Sequence, residues 1–529
     1  MLWNGAWRDR MWSELPETWD VIVIGGGITG AGILREAARN GWRVLLVEAN
    51  DFGSGTSSRS SKLVHGGLRY LRDGKLRLTL ISVRERQQLL KQGRGLVNPL
   101  GFLLANYEGD RIPAWVFGIG LILYDLMGLQ WGHRQYDPEI LRSFCPQLSA
   151  AGLEGGFRYF DAQTDDARLV LRVIREAVLA GGFALNYARV EELLIANSGQ
   201  VHGVVLRDQS PDGRSRTAEL HASQVINATG AWTDTLRTHL GHQPRMRKLR
   251  GSHLVFPWAS LPLTRAVTFL HPRDGRPVFA FPWEGVTLFG TTDVEHTDAL
   301  HEEPRISSDE VAYLSEGITY GFPGASLGIE DLLCSFAGVR GVIDTGKRDP
   351  SRESREHVLW DEKGLLTVTG GKLTTFQAMA HHALRIVRKR LPPIQRRKAA
   401  VRVLDALDVE SIESSGYPAT TRWRLAGRYG HDTVNVLELV EKNEDWTIGE
   451  SPHLWAELRW AARAEAVVHL SDLLLRRVRV GLTLPQGGLS ELAKIRALVQ
   501  PELGWDDDRW QREVVHYQQL WRSSYMPSL

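Results

Sequence analysis

Val21 to Ile24 is an unbroken run of branched apolar side chains, the pattern of a strand buried on both faces of a parallel sheet. The segment "AGILREAARNG" that follows spaces its apolar residues along one helical face and stops at Asn40-Gly41, a normal C-terminal signal. "WRVLLVE" predicts a second strand, ending at Glu48. Far downstream, "SQVINATGAWTD" predicts a strand that ends in a turn at Asn227-Ala228-Thr229-Gly230. "LLTVTGGKLTTFQAMAHHAL" predicts another, ending at Gly370-Gly371 and leading into a helix. The most apolar run, "IPAWVFGIGLILY" from Ile112 to Tyr124, has 13 residues and is closed by Asp125. A bilayer span needs ~20 residues, so this run predicts a buried helix. Pro392-Pro393 ends a helix and marks a domain boundary, beyond which the pattern is mostly helical and without internal repeat.

Between the first strand and its helix, Gly25, Gly27 and Gly30 fall in the spacing G-x-G-x-x-G. The first glycine permits a tight turn, the second lets backbone approach a pyrophosphate, and the third lets helix and strand pack closely. The helix N-terminus then faces the phosphates with its partial positive charge. Glu48, 18 residues beyond Gly30, is placed to accept hydrogen bonds from an adenosine ribose. Strand, helix, second strand and terminal acid together indicate dinucleotide binding. A nicotinamide enzyme would usually continue with alternating strands and helices. Here the chain breaks into "ANDFGSGTSSRSSKLVHGGLRYL", a long loop of small and polar residues suited to run beneath a larger cofactor. Strand-and-glycine signals scattered over some 350 residues also suit FAD better than NAD.

The chain has 529 residues and a mass of 59.4 kDa, so two or three domains are expected. A net charge of +2 gives no argument for a nucleic-acid partner. Cys145 and Cys334 could form at most one disulfide, and read as core thiols of a reducing compartment. The opening "MLWNGAWRDRMWSEL" is broken by charges and lacks the apolar core of a signal peptide. The 18 tryptophans suit core packing and, for some, a membrane interface.

Within the long loop, "SSRSSKLVHGGLRYL" carries four serines, a lysine, a histidine, two arginines, a tyrosine and no acid. With "DVIVIGGGITGAGI", "DDARLVL" (Asp165 to Leu171), "NATGAW", "RGSHLVF" (Arg250 to Phe256), "FGTTDVE" (Phe289 to Glu295), "AGVR" (Ala337 to Arg340) and "GGKLTT" (Gly370 to Thr375), it resembles the FAD-dependent glycerol-3-phosphate dehydrogenases. These blocks run in the family's order over roughly residues 17 to 380; the last 130 residues resemble its helical C-terminal domain more loosely, through "LSDLLLRRVRVGL" (Leu470 to Leu482). Gly341 stands where the family commonly has proline, and Thr29 where asparagine is frequent.

The resemblance implies an α/β fold: a split Rossmann-like FAD-binding domain, an inserted α+β substrate domain on a mixed sheet (the glycine/D-amino-acid oxidase-like fold) and a helical C-terminal domain. On that basis residues 1–16 form an N-terminal extension. The FAD-binding domain takes 17–92, 151–240 and 331–391, a substrate or cap segment 93–150, the substrate-binding domain 241–330, and the C-terminal helices 392–529. The implied reaction oxidises sn-glycerol 3-phosphate to dihydroxyacetone phosphate, with electrons passing through FAD to membrane quinone. Implied FAD contacts are Gly25, Gly27, Gly30, Glu48, Thr56, Ser57, Ser61, Gly66, Gly67, Thr229, Gly230, Gly371, Lys372, Leu373 and Thr374. Gly66 and Gly67 would bring backbone close to the isoalloxazine. Arg69, Tyr70, His253, Arg340 and Lys372 would surround the substrate.

A buried phosphate dianion requires fixed cations, which Arg69, Arg340 and Lys372 supply. Alcohol oxidation also requires a base and positive charge beside the forming alkoxide. His65 and His253 are the candidate bases, His65 being favoured because it lies in the most specific block, and Arg340 completes the catalytic set. Adjacent His381 and His382 point to different helix faces, and no metal site is expected.

From His381 to Arg402 the chain holds eight lysines and arginines and no acid, as a basic surface for anionic lipid would. The expected location is therefore the cytoplasmic side, peripheral on the inner face of the cell membrane, and a homodimer is compatible. Three competitors stand beside this reading: a soluble oxidase of the same substrate using O2, another FAD-dependent amine or amino-acid oxidase, and a flavin-bound protein without catalysis. The cation cluster disfavours the last two.

Overall fold

The computed structural model describes residues 3, 7–67, 74–128, 131–212, 216–346, 356–393, 402–407, 413, 417–441 and 446–527. Arg69 and Tyr70, and Arg396, Arg397 and Lys398 of the basic segment, lie outside them.

The expected buried strand is Thr18–Ile24, at the centre of an eight-stranded sheet. Five strands are parallel, in the order Leu365–Thr369, Thr217–Asn227, Thr18–Ile24, Val44–Val47 and Phe183–Leu185. Val21, Ile22, Val23, Leu45, Leu46, Val225 and Ile226 are wholly buried within it. The Ile28–Arg39 helix covers one face, between helices Asp166–Leu179 and Phe376–Val387. Ile24 pairs with Asn227 on one side and Val47 on the other, so the strand ends that carry the glycine turns meet at one edge of the sheet. In open α/β sheets ligands bind at this carboxyl edge.

The second sheet has ten strands and is antiparallel except where Ala266–Leu270 runs beside Val97–Tyr107. Strands of three different chain regions enter it, which shifts the expected boundaries. Leu153–Thr164 pairs along its length with Val97–Tyr107, so this sheet takes the chain up to Thr164 rather than residue 150. Cys334–Ile343 pairs with Met246–Pro257, so it belongs here and not with the nucleotide sheet. Hydrogen-bond pairing, invisible in hydropathy, decides both.

The described C-terminal residues are mainly helical, and their helices pack on the second sheet through Trp455, Leu474, Tyr517 and Trp521. The N-terminal residues wedge between the units. Trp3 bridges to Glu465 and packs on Phe52, and Arg8 donates to the carbonyls of Asn186 and Tyr187 at 2.8 Å. Both cysteines are buried and unbridged.

The apolar run is a helix, Ala114–Gly128, but it is not buried as expected. Leu121 and Tyr124 face inward, while Trp115 (67% exposed), Ile119, Ile122, Leu123 and Leu126 (54%) face out, with Trp131 (70%) just beyond. The helix lies against one surface, its inner side on the second sheet and the Leu76–Gln92 helix, and nothing among the described residues covers the other. No described helix is long and apolar enough to cross a membrane.

Candidate active site

The carboxyl edge of the nucleotide sheet opens into a cavity of about 660 Å³ shared with the second sheet. Its floor is the glycine turn. Gly25 takes φ +113°, and a Cβ there would stand 2.6 Å from the Ala228 carbonyl oxygen; one on Gly30 would stand 1.9 Å from the Gly25 carbonyl oxygen. The fold itself demands those two glycines. Gly27 differs: within 4 Å a Cβ there meets only the Ser57 side chain, at 3.1 Å, and the residue lines the cavity. The space is left for a ligand. Beside it the Ile28–Arg39 helix opens with no acid in its first turn, and Ser57 Oγ accepts the Ile28 N–H at 3.0 Å. A helix N-terminus fronted by an uncrowded glycine fits an anionic pyrophosphate.

Glu48 lies at the end of its strand, where its carboxylate accepts from the Gly26 N–H at 2.6 Å and the Asn50 N–H at 2.8 Å. Burial pushes its pKa up, and those N–H groups oppose the shift. Each oxygen keeps a lone pair for a ribose hydroxyl. Thr56, held by a hydrogen bond to the Val339 carbonyl, lines the cavity with Ser57, Ser61, Thr229, Gly230, Gly371, Lys372, Leu373 and Thr374. The nucleotide contacts expected from sequence thus converge on the cavity, with three exceptions. Gly30 serves helix packing beneath the turn. Gly66 and Gly67 are not on the cavity wall, and a Cβ on Gly66 would meet Tyr124 Oη at 2.3 Å, so this glycine lets the Ala114–Gly128 helix approach.

His65, His253, Arg340 and Lys372 line the same cavity. His253 is paired in register with Gly290 and Phe336; it stacks on the Phe336 ring at 4.7 Å, and its Nε2 lies 2.9 Å from Ser61 Oγ. Its Nδ1 is buried without a hydrogen-bond partner among the described residues. Burial, then Lys62 and Arg340, hold its pKa well below the usual imidazole value, so the ring is neutral. Arg340 lies 3.3 Å from the Asp293 carboxylate, which is buried. Lys372 Nζ donates to Ser82 Oγ at 3.0 Å. His381 and His382 do diverge, toward Glu36 and His357 respectively. Among the described residues no group of three or more His, Cys, Asp or Glu side chains is placed to hold a metal ion.

Other residues of the wall were not anticipated. Arg59, Trp232, Lys248 and His301 line the cavity. Arg59 and Trp232 sit inside the blocks "SSRSSKLVHGGLRYL" and "NATGAW", so their position carried a signal; Lys248 and His301 carried none. Behind the 56–62 loop lies a larger omission, a buried ionic cluster. Arg477 makes a forked pair with Asp51 at 2.6 and 2.8 Å, and Arg476 joins it. Arg479 reaches Asp166 at 2.6 Å and the Ser58 carbonyl at 3.0 Å, while Arg428 holds Asp165 at 2.8 Å. Burial alone would raise these carboxyls, but the arginines outweigh it and bring Asp51 and Asp165 down to about 2.

A split parallel sheet, a glycine cradle open to a pyrophosphate and a neutral histidine beside cations define a flavin-dependent oxidoreductase. Residues 20–385 match the family described as FAD dependent oxidoreductase, and residues 397–510 the C-terminal domain of alpha-glycerophosphate oxidase. The chain belongs to the FAD-dependent oxidoreductase family, and its cofactor is FAD. It is 35% identical over 500 residues to the aerobic glycerol-3-phosphate dehydrogenase of Bacillus subtilis (strain 168), with 89% of each chain covered. It is 33% identical over 489 residues to that of Staphylococcus haemolyticus (strain JCSC1435), with 87% and 86% covered. The glycerol-3-phosphate dehydrogenase from Bacillus halodurans, solved with FAD, matches at a TM-score of 0.79 and 29% identity over 98% of both chains. The L-alpha-glycerophosphate oxidase from Mycoplasma pneumoniae, solved with FAD, shares the fold at a TM-score of 0.58 and 18% identity, over 74% of this chain and 99% of that one.

Proposed function

We propose that the chain oxidises sn-glycerol 3-phosphate to dihydroxyacetone phosphate and passes the electrons to quinone at a membrane surface. The observation that carries this reading is the company of His253, Arg340 and Lys372 in the FAD cavity. Oxidation of a secondary alcohol removes a hydride from carbon and a proton from oxygen. FAD, when bound, supplies the hydride acceptor. The chain supplies the proton acceptor and the charge that steadies the alkoxide. His253 suits the first task in the tautomer that donates Nε2–H to Ser61, because Nδ1 then keeps its lone pair. His65 is the other candidate on the wall. Arg340 and Lys372 suit the phosphate, Arg340 oriented by Asp293 and Lys372 by Ser82.

Anaerobic mixing with glycerol 3-phosphate should bleach the flavin, and an unbleached flavin would reject the substrate. Adding quinone or O2 to the reduced protein then separates two acceptors. The match of residues 397–510 to an oxidase C-terminal domain is the observation favouring O2, and rapid peroxide formation with slow quinone reduction would establish it.

For the membrane contact, the reading draws on two surfaces. Arg385, Arg388, Lys389 and Arg390 are exposed at the end of the Phe376–Val387 helix, although Arg390 is paired with Asp361. The outer face of Ala114–Gly128 offers Trp115, Ile119, Ile122, Leu123 and Leu126, an apolar stripe with tryptophan at its start and at the loop beyond its end, as interfacial helices have. The Leu76–Gln92 helix bonds to Lys372, ahead of the Phe376–Val387 helix, and to the Gly128 carbonyl at the end of the apolar one. Trp115→Ser/Ile119→Ser/Leu126→Ser should abolish binding to anionic vesicles in low and high salt. Arg388→Glu/Lys389→Glu should weaken it in low salt only, since exposed charges are screened. Undiminished vesicle binding by the triple variant would remove the helix from the contact.

A further inference from the structure

We propose that Lys62 is a positioning residue for His253, fixing the turn and the local charge that keep the imidazole ready to accept a proton. The inference rests on the reading of His253 as part of the oxidation site.

Lys62 is wholly buried, yet it does not line the cavity. Its backbone takes φ +56°, a left-handed conformation that strains any side chain bearing a Cβ. The strained residue follows Ser61 directly, and Ser61 Oγ is the partner of His253 Nε2 at 2.9 Å. What holds the turn is the lysine's own ammonium. Nζ donates to the Ser58 carbonyl at 2.5 Å and to Asp166 Oδ1 at 2.9 Å. Asp166 also accepts from the Ser60 N–H at 2.9 Å and the Ser60 hydroxyl at 2.7 Å, so one carboxylate grips the loop on both sides of Ser61. Arg479, from the C-terminal unit, reaches the same Ser58 carbonyl and the same carboxylate.

Charge joins the two groups as well. The Phe336 ring on which His253 stacks at 4.7 Å also carries Lys62 Nζ, 4.6 Å from its centroid. An ammonium so near disfavours a second positive charge on the imidazole. Asp165, Asp166, Arg479 and the thiol of Cys334 surround Lys62, and Lys62 and Arg340 act on His253. Burial, reinforced by Arg479 and opposed by Asp166, lowers the lysine to about 7.

The test is Lys62→Met, which keeps the length of the stem and removes the charge. FAD-replete holoenzyme is mixed anaerobically with glycerol 3-phosphate across pH, and the rate of flavin reduction is followed. The acid limb of the profile should move up by about one unit, the size expected from one nearby like charge at an effective dielectric near 20. The plateau rate should fall about tenfold as Ser61 loses its placement, with KM little changed. A residue that only stabilised the fold would lower the melting temperature and leave the limb where it was. An unmoved limb in flavin-replete Lys62→Met, with His253→Ala slow, overturns the proposal alone. Wild-type rates in His253→Ala overturn the reading beneath it. If Lys62→Met loses FAD, Lys62→Met/Asp166→Asn restores neutrality to the pair and takes its place. Loss of FAD from both assigns Lys62 to holding the cofactor loop and overturns the proposal.

Discussion

The glycine cradle in front of the 56–62 loop and the ionic cluster behind it share that loop, yet they are made of opposite materials. The cradle is backbone, glycine and hydroxyl, and its Gly25, Gly27 and Gly30 come from six consecutive positions. The cluster is long charged side chains from remote parts of the chain: Lys62 meets Asp166 across 104 positions, Arg428 meets Asp165 across 263, and Arg477 meets Asp51 across 426. The cradle shapes a space for a ligand. The cluster holds the wall of that space from outside, and every one of its carboxylates has an arginine or lysine partner. Damage to the two should therefore be separable: at Gly27, loss of cofactor without loss of fold; behind the loop, loss of fold with secondary loss of cofactor.

The largest effect expected is Gly27→Val. The variant should fold with a near-normal melting temperature and carry background levels of FAD by absorbance. A yellow Gly27→Val protein would mean that the cavity floor does not bind the pyrophosphate. Gly30→Val should instead fail to fold, because its Cβ meets the Gly25 carbonyl oxygen rather than a ligand.

Next in size is Asp51→Asn. Two buried arginines would share a neutral partner, and breaking such a pairing costs about 3–5 kcal/mol. Urea denaturation should report that loss, while the variant still binds added FAD at low temperature. Equal stability of variant and wild type would make the cluster passive. A graded form of the same experiment uses acid. Asp51 and Asp165 lie at about 2 in the folded protein, below their unfolded values near 4. The unfolded chain then binds more protons between those limits, so this stabilisation is complete above about pH 4 and fades as pH falls toward 2. Asp51→Asn should lose part of that slope.

The smallest effect belongs to the cavity wall. Arg340→Ala should raise the dissociation constant for glycerol 3-phosphate roughly tenfold to a hundredfold, the size of a lost charge-assisted contact. Its FAD content and melting temperature should match wild type. Wild-type substrate affinity would place the phosphate elsewhere on the wall, with Lys248 as the next residue to change.

The same contrast explains what could be read from the chain. The cradle was legible because turn, helix start and terminal acid lie within one short segment and each position has a local steric reason. His253 and Arg340 were reachable through short blocks, but their neighbourhood was not, since pairing of Met246–Pro257 with Val286–Gly290 and Cys334–Ile343 creates it. Asp165 and Asp166 stood in a block whose role was unreadable until Arg428, Lys62 and Arg479 were seen to converge on them. The Ala114–Gly128 helix was misjudged for a different reason. Hydropathy reports that a segment prefers to leave water, and it says nothing of whether protein or something else will receive it. Gly66 shows the same limit at one residue: its N–H donates to Tyr124, 58 positions away, a contact no local pattern announces.

The split of the nucleotide sheet also sets a clock. Thr18–Ile24 gains Val44–Val47 almost at once, but its other neighbour, Thr217–Asn227, is made much later, and Leu365–Thr369 later still. Ile24 and Thr217 are 193 positions apart, so at ribosomal speeds of about 5–20 residues per second roughly 10–40 s separate them. Through that interval "VIVI" has an open edge, a segment rich in β-branched residues with nothing beside it to occupy its amides. Trp3 waits longer, for Glu465. An early strand is thus completed only by a partner some two hundred residues on, and until then its open edge has to be kept from other chains.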